Sequence, residues 1–367
     1  MSSSSAIPLV QKSLLLREES TPYVVGETPV PRPGPKDVLV NILACALNPA
    51  DYAVAEPPLS RILIKAYPHV GGCDGAGIVV EVGSEVQDRK KGDRVLFQGA
   101  MEASRATFQQ YAIMTAELTA IVPDEMNLEQ AATIPLAFTS VFIGLYNQSP
   151  APENISLRLK PFWEPEGKTA YAGTPAFIVA GASSLGQYAI QLAKLAGHDQ
   201  IITTASPHNA PLLKSLGATH VLDRSRSNES ILAELPTLTG GKPILYAFVA
   251  VLQSGTEPLY LGRDALAPGG ALLTAAPSPK AIPEDIANPG EGKRVGYACG
   301  SPHLPFSRDT GVVMYRQLTN WLEQGVIKPN PVEVLPNGLA GIVEGLARIK
   351  AKKVSGMKLV ARPDETP

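Results

Sequence analysis

Phe177-Ile-Val-Ala-Gly181-Ala-Ser-Ser-Leu-Gly186-Gln-Tyr-Ala-Ile-Gln-Leu-Ala-Lys-Leu-Ala-Gly197 joins three signals in direct succession. The apolar run after Pro175 has the length of a buried parallel strand. Small residues follow, from Ala180 to Ser184. A helical period then sets in, with Leu185, Tyr188, Ala189, Leu192, Ala193 and Ala196 on one face and Gln187, Gln191 and Lys194 opposite. Gly197 suits the position after a helix, where glycine takes the left-handed conformation without strain. Strand, tight turn and helix in this order present free N–H groups and a positive helix end. That is the place where the pyrophosphate of a dinucleotide settles. The middle glycine of the G-x-G-x-x-G spacing is replaced by Ser183, small enough for close backbone approach and carrying a hydroxyl able to donate to phosphate. An ordinary βα turn of an α/β domain is the competing reading of this motif taken alone. On the dinucleotide reading Gly181, Ser183, Ser184, Leu185 and Gly186 form the phosphate turn.

Around this unit, strands alternate with helices. Ile201–Ala205, His220–Asp223, Ile244–Val251, Ala271–Ala275 and Val295–Cys299 read as strands. That alternation predicts a doubly wound parallel sheet. Upstream the rhythm differs. Val38–Asn41, Gly77–Val82, Asp93–Phe97 and Gln110–Met114 read as short strands between Gly- and Pro-rich turns. Helical material is expected from Asn127 to about Tyr146, and residues 149–175, rich in Pro, Gly and Glu, as a surface loop. Downstream, a helix around Arg308–Gln324, a strand at Val332–Leu335, a helix at Gly341–Lys350 and a strand at Met357–Ala361 complete the chain. This tail has β character again and is expected to return to the N-terminal β-rich part.

The chain has 367 residues, enough for two domains with their own cores, and 44% hydrophobic and 18% charged residues place it among soluble globular proteins. A net charge of −2 implies no nucleic-acid surface. No apolar run approaches the ~20 residues of a membrane span. Met1–Pro8 has neither a basic region nor an apolar core and reads as a tail rather than a signal peptide. Three scattered cysteines, Cys45, Cys73 and Cys299, form no disulfide framework, which suits a reducing, cytoplasmic setting. They and the five histidines show no metal-ligand spacing, so no metal is expected.

The second strand of the alternating part ends Thr203-Thr204-Ala205-Ser206-Pro207-His208-Asn209. An NAD site places a carboxylate near here for the ribose 2′-OH. None is present. Hydroxyl and amide donors at Ser206 and Asn209, with His208 or Lys214 as a cation, suit the 2′-phosphate of NADP(H) instead. Those residue types also make a simple turn and helix cap.

Further motifs fall in one order along the chain: Asn48-Pro-Ala-Asp51, Gly72-Cys-Asp-Gly-Ala-Gly77-Ile-Val-Val-Glu-Val-Gly83, Lys91-Gly-Asp-Arg-Val95, Ala131-Ala-Thr-Ile-Pro135-Leu-Ala-Phe-Thr139-Ser140, Gly217-Ala-Thr-His-Val-Leu-Asp223 and Lys353-Val-Ser-Gly-Met-Lys358. With the phosphate turn they make the chain resemble, over nearly its whole length, a zinc-independent member of the medium-chain dehydrogenase/reductase superfamily. The nearest resemblance is to fungal-type quinone-oxidoreductase-like proteins and the trans-acting enoyl reductases of polyketide pathways. The resemblance implies an α/β fold with a split GroES-like β-barrel catalytic domain, residues 1–136 and 313–367, around an inserted Rossmann NADP(H)-binding domain, residues 137–312. It implies NADPH-dependent reduction of an activated C=C bond in an enone, quinone or enoyl thioester, with a small polyketide-like or carrier-bound substrate and a monomer or homodimer.

By the same resemblance Asn48 and Asp51 line the cofactor side of the site, and Thr139 and Ser140 face the nicotinamide amide or ribose. Tyr52 bonds the substrate oxygen or donates a proton. The competing reading of Tyr52 is a packed, half-buried aromatic, and of Thr139 and Ser140 a hydroxyl bonded back to the preceding helical turn. Zinc-dependent relatives carry His-Glu where this chain has Cys73-Asp74. Two departures stand out: Ala53 where relatives often have lysine, and Val249 where they often have an acidic residue. They leave open a non-redox isomerase, cyclase or lyase, and a non-catalytic binding protein.

Overall fold

The computed structural model describes residues 6–250, 255–275, 281–298 and 300–367. Val251 and Cys299, the expected last residues of two strands, lie outside this set. The chain forms two compact units, Met1–Leu136 with Tyr315–Glu323 and Pro329–Pro367, and Ala137–Met314 with Gln324–Lys328.

In chain order the first stretch holds β1 (Val10–Leu16), β2 (Val24–Pro29), β3 (Asp37–Ala46), α1 (Pro49–Ala53), α2 (Leu59–Leu63), β4 (His69–Val70), β5 (Asp74–Val82), β6 (Arg94–Gln98), β7 (Tyr111–Thr115), β8 (Thr119–Ile121) and α3 (Leu128–Ala132). Then come α4 (Pro135–Tyr146), β9 (Pro175–Val179), α5 (Ser184–Leu195), β10 (Gln200–Ala205), α6 (Ala210–Leu216), β11 (His220–Asp223) and α7 (Asn228–Thr239). They are followed by β12 (Tyr246–Val249), α8 (Glu257–Asp264), β13 (Ala271–Thr274), α9 (Glu284–Ala287) and β14 (Arg294–Tyr297). The chain closes with α10 (Arg308–Glu323), β15 (Val332–Val334), α11 (Gly341–Lys350) and β16 (Lys358–Ala361).

The first unit is built on β3. Its alternating apolar residues enter a core with Val79, Val95, Phe97, Met114 and Leu359. One edge of β3 pairs antiparallel with β5, and the other with β7 and then with β16, so the C-terminal strand joins the N-terminal sheet. Its sheet runs β15-β16-β3-β5-β6-β8 with β7 beside β3, next to a small β2-β1-β4 sheet. Gly77 lets β5 pass β3, since a Cβ there would strike the Asn41 carbonyl. The β1–β2 hairpin has no counterpart among the expected strands. Gln11 and Ser13 are buried in β1, on Gln109 and Thr28, so the apolar alternation that marks a strand is broken there by polar side chains. The helical stretch from Asn127 is two helices, because Pro135 cannot continue α3 and instead starts α4.

The second unit carries the expected parallel sheet, in the order β11-β10-β9-β12-β13-β14. Ala176, Phe177 and Ile178 of β9 are fully buried, as a strand covered on both faces requires. On the polar face of α5 Lys194 meets solvent, whereas Gln187 and Gln191 are buried, and Gln191 exchanges hydrogen bonds with the backbone of Lys328. One expectation is corrected here. Residues 149–175 are not a plain surface loop. Leu157 and Phe162 are buried, and Trp163 stacks on Phe142 with ring centroids 4.8 Å apart. Among the described residues, no helix is long and apolar enough to cross a membrane.

Candidate functional site

In the second unit the turn from β9 to α5 is held from two sides. The Gly181 N–H donates to Thr204 O at 3.0 Å and the Ala180 N–H to Thr204 Oγ1 at 3.0 Å, both on the neighbouring strand β10. A Cβ on Gly181 would collide with Thr203 Oγ1, and one on Gly186 with the Ala180 carbonyl. These are the two glycines that a tight turn and close helix–strand packing demand. Ser183 is the N-cap of α5. Its Oγ accepts from the Gly186 N–H at 3.0 Å and donates to Ala180 O at 2.8 Å. This hydroxyl, expected to donate to phosphate, here places its hydrogen on Ala180 O. What the turn presents is the first turn of a twelve-residue helix, starting with Ser184 and Leu185 and carrying the positive end of its dipole.

β10 ends at Ala205, and Ser206 leads into a short turn, Pro207–Asn209, ahead of α6. His208 and Lys214 are exposed, while Asn209 is buried. The fold adds a residue that sequence reading passed over. Arg224 follows β11, exposed, and its backbone N–H donates to Ala205 O at 3.1 Å, which sets this residue beside the end of β10. The register pairs Ala205 with Asp223, so a cation one residue past a strand adjoining β10 was the available signal. Val249 is fully buried in β12 and packs towards α8, where a Cβ on Gly262 would come 2.6 Å from its side chain.

In the first unit the loop into α1 rests on a buried polar cluster. Asn48 Nδ2 donates to Asp74 Oδ2 at 2.9 Å, and Asn48 Oδ1 accepts from Lys358 Nζ at 2.9 Å. Lys358 and Asp74 form an ion pair, with side chains 4% and 0% exposed. Asp74 Oδ1 also accepts the Leu136 N–H at 2.6 Å, in the first turn of α4, where a carboxylate is favoured by the helix dipole. Asp51 Oδ2 accepts the Asn48 N–H at 2.7 Å, and the Tyr23 hydroxyl donates to Asp51 O at 3.2 Å. Asp51 Oδ1 is buried with no hydrogen-bond partner. Burial, against the pull of the Asn48 N–H, pushes the Asp51 carboxyl up to about 7. Burial and the neighbouring Asp51 and Asp74 hold the Cys73 thiol well above its ordinary range. Tyr52 is half-buried against the core of this unit. Lys358 was legible as a lysine at the head of an apolar strand, since a buried ammonium demands a counter-charge, but its partner lies 284 residues away.

Thr139 and Ser140 lie inside α4, with Thr139 fully buried and Ser140 nearly so. Thr139 Oγ1 makes no hydrogen bond, not even the back-bond a helical threonine usually finds. Among the described residues no group of three His, Cys, Asp or Glu side chains is placed to hold a metal ion.

Residues 34–124 match the alcohol dehydrogenase GroES-like domain family, and residues 184–301 the zinc-binding dehydrogenase family. A trans-enoyl reductase of Gibberella fujikuroi is 29% identical over 357 residues, covering 91% of this chain and 93% of that protein. The quinone oxidoreductase from Coxiella burnetii superposes with a TM-score of 0.72 at 21% identity, over 96% of this chain and 98% of the other. The CurF ER cyclopropanase from the curacin A biosynthetic pathway superposes with a TM-score of 0.74 at 22% identity, over 97% and 99%. With a GroES-like N-terminal part, a Rossmann-type parallel sheet and both family matches in the order of that fold, this chain belongs to the medium-chain dehydrogenase/reductase superfamily.

Proposed function

We propose that this chain reduces an activated C=C bond, in an enone, quinone or enoyl thioester, with NADPH and without a metal. The observation that carries the reading is the phosphate turn of α5 together with the end of β10. No carboxylate follows Ala205, and an exposed arginine stands beside it. The neighbouring Asp223 turns its Oδ1 onto the Ser225 N–H at 2.9 Å. A 2′-phosphate is stabilised by such a cation, with His208 and Lys214 on the following turn and helix as further positive or donor groups. The name of the trans-enoyl reductase relative supports the reaction class. In this reading residues 137–312 hold NADP(H), while residues 1–136 and 313–367 are the catalytic domain.

The residues present fit such a cofactor, through the glycine turn and the helix end that would take its pyrophosphate. NADPH supplies the hydride. The chain must stabilise negative charge on the substrate carbonyl oxygen and deliver a proton to the α-carbon. Tyr52 is assigned the hydroxyl for that work. Thr139 and Ser140 are assigned to the nicotinamide end, supported by the orphaned Thr139 hydroxyl. Asn48 and Asp51 act by fixing the α1 loop that carries Tyr52. The metal-free reading is supported by donor chemistry. Asp74 and Asn48 are committed to the Lys358 ammonium, and the raised Cys73 thiol resists becoming a thiolate ligand. A polyketide-like substrate, free or carrier-bound, and a cytoplasmic location belong to the same proposal.

Fluorescence titration with NADPH and NADH tests it. The wild-type chain is expected to prefer NADPH. Arg224→Ala should weaken NADPH by roughly 10- to 100-fold, the worth of a charge-assisted hydrogen bond, and leave NADH unchanged. Equal affinity for both cofactors, or an equal loss for both, would reject the NADP assignment. Loss of absorbance at the reduced-nicotinamide band with an enoyl thioester or quinone tests turnover. Product formed without that loss would move the chain to the non-redox reading.

A further inference from the structure

In the second unit the C-terminal parts of α7 and α8, with the loop into β12, wall a pocket of about 270 Å³. Leu232, Leu235, Ile244 and Leu266 give it apolar sides. It lies where β12 begins. Tyr246 of β12 pairs with Ala176 at the start of β9, whereas the phosphate turn follows the end of β9. The pocket is therefore at the opposite end of the sheet from the dinucleotide turn. Its volume falls just under the ~300 Å³ at which pockets for drug-sized ligands begin, which limits it to a small molecule.

The hydrogen-bonding capacity of the pocket is one-sided. The N–H groups of Gly241 and Lys242 are taken by Pro236 O at 2.8 Å and Thr239 O at 3.2 Å. Those of Ala265, Leu266 and Ala267 are taken by Leu261 O at 3.2 Å, Arg263 O at 3.1 Å and Ile244 O at 3.0 Å. Pro236 and Pro243 have none to give. The Lys242 ammonium is turned to Gly173 O at 2.9 Å and Asp199 Oδ2 at 3.1 Å. Acceptors, in contrast, stay open. Pro236 stands inside α7 and has no N–H to return to the Leu232 carbonyl one turn earlier, on the face that lines the pocket. Asp264 accepts Arg263 Nε on Oδ1 at 2.6 Å, and its Oδ2 makes no hydrogen bond among the described residues. Thr239 is 2% exposed, and the one bond of its hydroxyl is a long donation to Pro236 O at 3.4 Å, which leaves its lone pairs unused. Both helices also bring their negative dipole ends to this place.

We propose that this pocket binds a small primary amine with an apolar body, in its ammonium form. The three N–H donors of an ammonium match in kind the Leu232 carbonyl, the Asp264 carboxylate and the Thr239 hydroxyl. The body takes the place of water on the leucines and Ile244. A carboxylate or phosphate of the same size finds no donor and is repelled by Asp264. The inference stands apart from the reductase reading, and its test needs no NADPH.

2-Phenylethylammonium is the probe, with 2-phenylethanol and phenylacetate as uncharged and anionic controls of the same size. In an NMR titration of the full chain, the amide shifts of Thr239, Gly241 and Ala267 are expected to move and to saturate at millimolar amine, the range open to a ligand of about nine non-hydrogen atoms. The alcohol is expected to move the same amides at higher concentration, and phenylacetate to leave them still. Asp264→Asn should weaken the amine by roughly 2- to 5-fold, the worth of a part-exposed ion pair, and leave the alcohol unchanged. Ala267→Leu puts a larger side chain into the pocket and should abolish binding of both. Should that variant not fold, Asp264→Asn, at an exposed position, carries the test. Shifts that do not saturate or that fall elsewhere overturn the proposal. So does an equal response to phenylacetate, an amine affinity unchanged by Asp264→Asn, or a folded Ala267→Leu chain that still binds.

Discussion

Replacing Asp51 by Asn should remove a pH dependence from the stability of the first unit. Asp51 is 3% exposed, spends Oδ2 on the Asn48 N–H and leaves Oδ1 with no partner. Burial is the largest influence and drives the carboxyl from 3.8 up to about 7. The Asn48 N–H and Lys358 pull it down, and Asp74 pushes it up. The folded chain therefore holds a proton between those limits that the unfolded chain has released. Stability from this group is complete below the unfolded value and is lost as pH rises through the folded one. About three units at 1.36 kcal/mol each set a ceiling of about 4 kcal/mol, and relaxation around a buried charge brings the expected effect to roughly 1–3 kcal/mol.

Asparagine keeps the acceptor for the Asn48 N–H and has no charge to bury. Asp51→Asn should thus be near neutral in stability at about pH 3.5, below the unfolded value, where the carboxyl is protonated in both states, and more stable than wild type by that amount at about pH 8.5. Urea unfolding at both pH values measures the difference, with hydrogen exchange across β3 reporting that the first unit is the one affected. Parallel pH profiles for wild type and variant would refute the reasoning, since Asp51 would then be ionised across the range and its burial would cost nothing that pH can reveal.

Two further substitutions probe the buried polar groups. Lys358→Met leaves the Asp74 carboxylate buried without its cation and should cost about 3–5 kcal/mol, with adding Asp74→Asn recovering a large part. Thermal unfolding of the single and double variants checks this, and a single variant as stable as wild type would show that the pair is solvated. Thr139→Val replaces a buried hydroxyl that has no partner with a methyl group of similar shape, so stability should hold or rise while NADPH oxidation falls. Lost stability with unchanged oxidation would assign Thr139 to packing alone.

Local pattern was enough for the parallel sheet. Phe177–Gly197 announces strand, turn and helix because a strand buried on both faces must be apolar throughout, and because the turn between them tolerates only small residues. His220–Asp223 and Gly341–Lys350 also fall where the sequence pattern puts them. Where polar residues are buried, the pattern fails. Gln11 and Ser13 hid β1, and Gln187 and Gln191 put polar residues on α5 where the fold buries them. The phosphate turn was legible down to its glycines, but the use of the Ser183 hydroxyl was not, since capping and phosphate donation call for the same residue type.

Only the tertiary structure decided which charges meet. Lys358 reaches Asp74 and Asn48 because β16 pairs with β3 while β5 lies on the other edge of that strand. Arg224 reaches Ala205 because β11 adjoins β10. Ile155 reaches Tyr297 because residues 149–175 fold back on the sheet edge rather than into solvent. In each case the interaction depends on a pairing or a packing between distant segments. Periodicity records which face of an element is buried, and carries no record of what lies against it.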